Sequence, residues 1–205
     1  MMTMSQRKTR NPEQTRNDLL DAAYHEILES GFQAASLERI LANTSVSKGA
    51  LYHHFGTKRD LGLAVIEEVI GPQLEERWFT MLAQHDNPII GLYNLIAEKI
   101  SQADESVIRY GCPLNNLIQE MSPLDESFRQ GLQKIIERWV EVVTQALKEG
   151  QSAGQVRQDS NPEDIALYIV ASIEGCVGLG KNAQSIDAYQ RCLRQLQVYI
   201  QSLAV

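Results

Sequence analysis

Apolar residues recur at helical spacing through most of the chain, and no stretch shows the period-two alternation of a strand. The first stripe is Leu19, Leu20, Ala23, Ile27 and Leu28. Asn11-Pro12-Glu13 opens it, with proline at the first helical position, and Gly31 ends it. Ser36 then caps a short helix with Leu37, Ile40 and Leu41 on its inner side, and Asn43-Thr44-Ser45 breaks the pattern. Val46 fills the turn, Ser47 caps a second short helix, and Leu51 and Phe55, four apart, fix its inner face. The segment from Thr57 to Asp60 is a capping-box-like start of a longer helix. That helix runs past Ile70 and is expected to bend at Gly71-Pro72, because proline removes a helical hydrogen bond.

Further helices follow Asn87-Pro88, Cys112-Pro113, Ser122-Pro123 and Asn161-Pro162. The third of these carries the stripe Leu124, Phe128, Leu132, Ile135, Trp139, Val142 and Ala146 and stops at Gly154. Residues 165–180 are apolar nearly all round, which predicts burial on every side. Tyr189, Leu193, Leu196, Ile200 and Leu203 form a seam spaced 4, 3, 4 and 3, suited to a four-helix interface with a second copy. The alternative is that both last helices only complete the core of one chain. The pattern gives an all-α protein. Residues 1–60 are expected to form an N-terminal arm and a three-helix helix-turn-helix domain, and residues 61–205 a helical dimerisation domain, to which the resemblance described below adds effector binding.

The outer face of the second short helix carries chemistry. Ser47, Lys48, Gly49, Tyr52, His53 and His54 offer donors, aromatics and positive charge rather than the Glu/Lys mixture of a solvated face. Such a helix fits a DNA major groove. Ser36 and Lys58, each at a helix start, are further candidates for DNA contact, and Lys58 is expected to hold a phosphate.

These residues resemble the DNA-binding half of the TetR family of bacterial repressors. The matching positions are Ser36-Leu37, Val46-Ser47-Lys48-Gly49, Leu51-Tyr52-His53-His54-Phe55 and Lys58, with a leading helix from Asn11-Pro12-Glu13 to Gly31-Phe32. The resemblance covers roughly residues 12–65. It implies a homodimer joined through the last two helices, an inverted-repeat double-stranded operator and a small-molecule effector that releases the protein from DNA.

Charge supports this division. The net charge is −7, but residues 1–60 carry about +1 and the remainder about −8. Arg7, Lys8 and Arg10 form a small positive arm, either a solubilising tail or a phosphate contact. Cys112, Cys176 and Cys192 show neither CxxC spacing nor a histidine cluster, so no metal or cofactor is expected. The polar start and the short, interrupted apolar stretch at 165–180 point to a cytoplasmic protein with no membrane span.

No hydrolase, metalloprotease or phosphate-loop motif is present. A helical enzyme using Cys112 would have only His85 in the body as a base. The expected effector site draws on Trp78, Tyr93, Tyr110, Cys112, Asn115, Phe128, Trp139, Tyr168 and Glu174, a lining suited to a small hydrophobic or electrophilic molecule. Glu174, inside the most apolar helix, must be paired, protonated or facing a cavity. Cys112 is expected to cap a short helix, where amides and dipole favour a thiolate, with Arg109 and Lys181 near enough to assist. The segment Gly111-Cys112-Pro113-Leu114-Asn115-Asn116 is similar to that of TetR-like regulators answering electrophiles and oxidants, which implies thiol sensing as an alternative. The bland reading is a small buried hydrophobe. Cys176 and Cys192 read as structural.

Overall fold

The computed structural model describes residues 11–205, so the positive arm at Arg7, Lys8 and Arg10 lies outside the described residues. The chain divides into two compact units, ending at Val69 and beginning at Ile70. In the first, α1 (Pro12–Ser30) packs against α2 (Leu37–Ala42), α3 (Lys48–His54) and α4 (Lys58–Val65). The caps fall where the sequence puts them. Asn11, Ser36, Ser47 and Thr57 each accept a first-turn amide through the side chain, and Gly31 closes α1 with φ +78°. Leu19, Ala23, Ile40, Leu51, Phe55, Leu61 and Val65 fill the core. Each of the larger of these side chains contributes about 1.5–3 kcal/mol by leaving water.

Two ion pairs tie this unit together. Glu26 is 6% exposed and accepts from the Ser36 amide at 3.0 Å and from Arg39 Nε at 2.7 Å. Arg39 Nη2 also donates to the Ala34 carbonyl, so one buried carboxylate fixes the loop that enters α2. Arg16 grips Glu68 with Nε and Nη2 at 3.0 and 2.5 Å, and its guanidinium lies 4.4 Å from the Phe55 ring centre. This pairing joins α1 to the turn beyond α4, within the unit that ends at Val69.

Beyond Val65 the helix widens into π-type turns at Ile66–Ile70 and Glu75–Phe79, separated by α5 (Gly71–Leu74) and followed by α6 (Thr80–Leu82). Pro72 has no N–H to give the carbonyl of Glu68, which disfavours the ordinary four-residue ladder there. In the second unit α7 (Pro88–Ser101), α10 (Glu126–Ser152), α11 (Pro162–Ala183) and α12 (Ile186–Gln201) form the body. α8 (Glu105–Tyr110) rests on α11 and α9 (Pro113–Met121) on α10.

Four expectations change. α8 is absent from the sequence reading, being too short for a periodic signal; Asp104 caps it through the amides of Ser106 and Val107. α10 begins at Glu126, not Pro123. Asp125 receives the amides of Ser127 and Phe128, while Ser122 stays helical at the end of α9. The seam Tyr189, Leu193, Leu196, Ile200 and Leu203 is buried within the chain, so it belongs to the core and not to an interface between copies. Likewise α11 buries only one side. Leu167, Tyr168, Ala171, Gly175, Gly178 and Leu179 stay exposed. Gly180 is needed where α11 turns into α12, since a Cβ there would lie 2.7 Å from Tyr189 Cβ. Cys176 and Cys192 form a disulfide between α11 and α12, with Cα atoms 5.4 Å apart. Among the described residues no helix is long and apolar enough to cross a membrane.

Replacing Glu26 with Gln is expected to destabilise the first unit by about 2 kcal/mol at neutral pH, the scale of a hydrogen bond to a charged group. Arg39 holds the Glu26 carboxyl below its ordinary value, against the opposing effect of burial. Stability from a carboxyl depressed in the fold is present above its unfolded pKa, near about 4.3. It is lost as pH falls through the folded value. The gap between parent and Glu26→Gln should therefore close on acidification, read by urea unfolding at stepped pH. A gap that stays constant into acid contradicts the assignment.

Candidate functional site

The first unit presents one polar face without carboxylates. Ser47 caps α3, its Oγ accepting from the Ala50 amide at 3.2 Å. Leu51 and Phe55 point inward, 0% and 2% exposed. That leaves Ser47, Lys48, Gly49, Tyr52 and His53 exposed together. His54 is half-buried at the flank, its ring edge-on to His53 at 5.6 Å. A Cβ on Gly49 would meet nothing closer than Ser47 Oγ at 4.0 Å, so Gly49 lowers the surface without being required by the core. Ser36 holds the start of α2, its hydroxyl accepting from Glu38 and Arg39.

At the start of α4 the Lys58 ammonium donates to the Gln33 carbonyl at 2.9 Å and lies 5.0 Å from the Phe32 ring centre. It ties the start of α4 to the loop after α1.

In the second unit a polar cluster sits among aromatics. Trp78 and Trp139 pair with ring centres 4.9 Å apart. Lys99 Nζ lies 5.3 Å from the Trp78 ring centre. The Cys112 thiol donates to Glu174, with Tyr189 close to both. Trp78 thus links Trp139 on α10 with Lys99 on α7, and Lys99 links these to Cys112, Glu174 and Tyr189 at the N-cap of α9, on α11 and on α12.

Burial dominates the electrostatics. It pushes the Glu174 carboxyl up to about 7, against the pull of the Cys112 hydrogen bond and Lys99. It pushes Tyr189 up to about 12, helped by Glu174 and Cys112. It holds Lys99 below its ordinary value, and Arg77 adds to that. Trp139 Nε1 and Glu174 Oε2 are among the buried polar atoms that meet no hydrogen-bond partner.

Of the residues expected here, Trp78, Cys112, Trp139 and Glu174 come together. Asn115 adjoins them, its side-chain amide donating to the Glu174 carbonyl at 3.4 Å. Tyr110 and Tyr93 are half-buried, and their main-chain carbonyls receive Asn116 and Gln197. Phe128 is fully buried on α10. Tyr168 is excluded. It is 54% exposed on the outer face of α11, edge-on to Tyr199 at 4.8 Å. Lys99 and Tyr189 are additions. Lys99 stands three residues after Ile96 and seven after Leu92, a cation on the apolar stripe, which is a signal the sequence does contain.

Cys112 does cap α9, but its thiol is not activated. Burial and Glu174 raise its pKa, outweighing the amides of Asn115 and Leu114 that favour the anion. Lys181 donates to Asn116 Oδ1 at 3.0 Å and Arg109 lies over the Tyr110 ring, so neither is turned to the sulfur. These surroundings favour the neutral thiol over the expected thiolate.

Glu174 carries a pH signature. A carboxyl raised from 4.5 to about 7 contributes its stability in full below 4.5 and loses it as pH rises to about 7. Glu174→Gln should flatten the fall in melting temperature across that window and exceed the parent at its alkaline end. The Glu26 effect lies below the window and does not mask this one. A parent protein that grows more stable as pH rises from mildly acidic to neutral speaks against a protonated Glu174.

Comparison with known proteins agrees with both units. Residues 19–65 match the family described as bacterial regulatory proteins, tetR family. Residues 88–196, more than half of the chain, match the tetracyclin repressor-like C-terminal domain. The chain is 28% identical to the HTH-type transcriptional repressor DhaR of Mycobacterium sp. strain GP1, over 85% of this chain and 87% of that protein. It is 30% identical to the transcriptional regulator AcuR of Cereibacter sphaeroides, over 78% and 73%. A crystal structure of a regulatory protein TetR from Rhodobacter sphaeroides superposes with a TM-score of 0.80 at 25% identity, covering 93% of this chain and 99% of that one. The chain belongs to the tetR family of bacterial regulatory proteins, which act by binding DNA and not by catalysis.

Proposed function

We propose that this protein is a cytoplasmic transcriptional repressor. It binds an inverted-repeat operator as a homodimer and is released by a small organic effector held at the Trp78–Glu174 cluster. The carrying observation is the carboxylate-free exposed face of α3, with Lys48, Tyr52 and His53 side by side over a locked inner face. Lys48 and His53 read base edges, Tyr52 and the cap at Ser47 meet the backbone, and Ser36 supports the approach through α2. Repression is supported by the relative DhaR, itself named a repressor.

The dimer reading rests on α11. Leu167, Tyr168, Ala171, Gly175, Gly178 and Leu179 form an exposed strip, and a Cβ at Gly175 or Gly178 would meet nothing within 4 Å. Small residues on successive turns let a second helix approach closely, and the exposed Val198 on α12 extends the surface. The effector acts without covalent attachment, since the surroundings of the half-buried Cys112 favour the neutral thiol, a poor nucleophile. It releases DNA only to the extent that it binds the released state more tightly.

The test is operator binding by the full chain, with DNA from its own upstream region as first probe. Lys48→Ala should cost about 1–3 kcal/mol at one operator position and relax preference there. Lys58→Ala should lower the melting temperature yet leave the salt dependence of binding unchanged. Leu179→Asp should give monomers by light scattering and lose roughly a hundredfold or more in operator affinity, since the second half-site no longer binds intramolecularly. Equal binding to all duplexes by the parent, or an intact Leu179→Asp dimer, defeats the reading.

A further inference from the structure

Two hydrogen-bond donors beside the Trp78 ring lack an acceptor among the described residues. Trp139 is 1% exposed and its indole N–H meets no acceptor. A buried donor left unpaired costs about 1–3 kcal/mol. Lys99 is half-buried, and its ammonium lies over Trp78 with no hydrogen bond or ion pair to a described residue. Both groups border the Trp78 ring. Glu174 Oε2 is also unpartnered, and burial raises the carboxyl to about 7, so the neutral acid is populated alongside the carboxylate near neutral pH. The Cys112 thiol also donates, to Glu174. Trp139 Nε1 and Lys99 Nζ are thus the two donors left without an acceptor among the described residues.

We propose that the effector is a small organic carboxylate, its oxygens accepting from the Lys99 ammonium and the Trp139 indole N–H while its apolar body lies against the Trp78–Trp139 pair. The inference rests on the effector site proposed above and names its ligand class. A carboxylate supplies the single negative charge that a desolvated ammonium lacks and the two acceptor oxygens that the donors require. An amine would be repelled by Lys99 and by Arg77, which already acts on Lys99. A neutral amide would leave the ammonium without a counter-ion. A doubly charged phosphate would lose too much hydration between two tryptophans to be held by one lysine. Beside a bound anion Glu174 keeps its proton, because a neighbouring negative charge adds to burial in favouring the neutral acid.

The chain has two tryptophans, and both are in this cluster, so intrinsic fluorescence of the full protein reads the site directly. The probes are two matched sets: propionate with propionamide and propylamine, and benzoate with benzamide and benzylamine. At least one carboxylate should give a saturable fluorescence change and a rise in melting temperature, with its amide and amine binding more weakly. Lys99→Met should raise the dissociation constant of that carboxylate by on the order of tenfold to a hundredfold, the range for a hydrogen bond to a charged group. Lys99→Gln provides a second variant of different polarity, and Trp139→Phe should weaken binding less, with Trp78 still reporting. The proposal is overturned if neither carboxylate saturates, if an amide or amine matches its carboxylate, or if both Lys99 variants bind as the parent does. Operator binding in the same samples separates the two readings. Lys99-dependent carboxylate binding that leaves DNA bound keeps the ligand class and sinks effector release. DNA release by an amine or amide, unaffected at Lys99, does the reverse.

Discussion

Helices of six and seven residues do not hold their shape alone in water, because nucleation is costly and few hydrogen bonds follow it. The exposed face of α3 exists because α1 holds it. Leu19, Ala23 and Ile27 supply the apolar floor. Glu26 supplies something the floor cannot: a buried charge that fixes the loop before α2 through the Ser36 amide and Arg39. Hydrophobic burial is non-directional. The carboxylate is directional, and it sets where the short helices start. Arg16 does the same at the other end by joining Glu68 to α1 over the Phe55 ring.

The body answers a different constraint. Its helices are long enough to bury polar groups that a small domain would keep in water. Lys99, Cys112, Glu174 and Tyr189 are drawn in from four elements and shifted, each in the direction that burial dictates. Such a cluster opposes stability, which is the observation behind the proposal that it is a site. The disulfide between α11 and α12 joins the helix that carries Glu174 to the one that carries Tyr189.

Much of this was legible because it is local. Asn11, Ser36, Ser47, Thr57, Asn87 and Asn161 announce their helices through side chains that reach amides two or three residues on. The outer face of α3 follows from the four-residue step between Leu51 and Phe55. Competition between neighbouring caps was not legible: Ser122 and Asp125 are both good candidates, and only the end of α9 decides between them. Nor does periodicity say which neighbour a stripe meets. The Tyr189–Leu203 seam fits a partner chain as well as it fits its own core. The side chain of Lys58 could reach a phosphate or the Gln33 carbonyl, and a long-range carbonyl has no sequence signature. The partnership of Cys176 with Cys192 depends on how α11 lies against α12, which spacing alone leaves open.

The central claim is that two copies of α3 read DNA through a fixed two-fold relation. Selection of the purified full-length protein on random double-stranded DNA, followed by sequencing of the bound fraction, tests it most directly. The account predicts an inverted repeat with half-site centres about 34 Å apart, or a multiple of that, on one face of the duplex. Enrichment of a single unpaired half-site, or no enrichment over the starting pool, would contradict it.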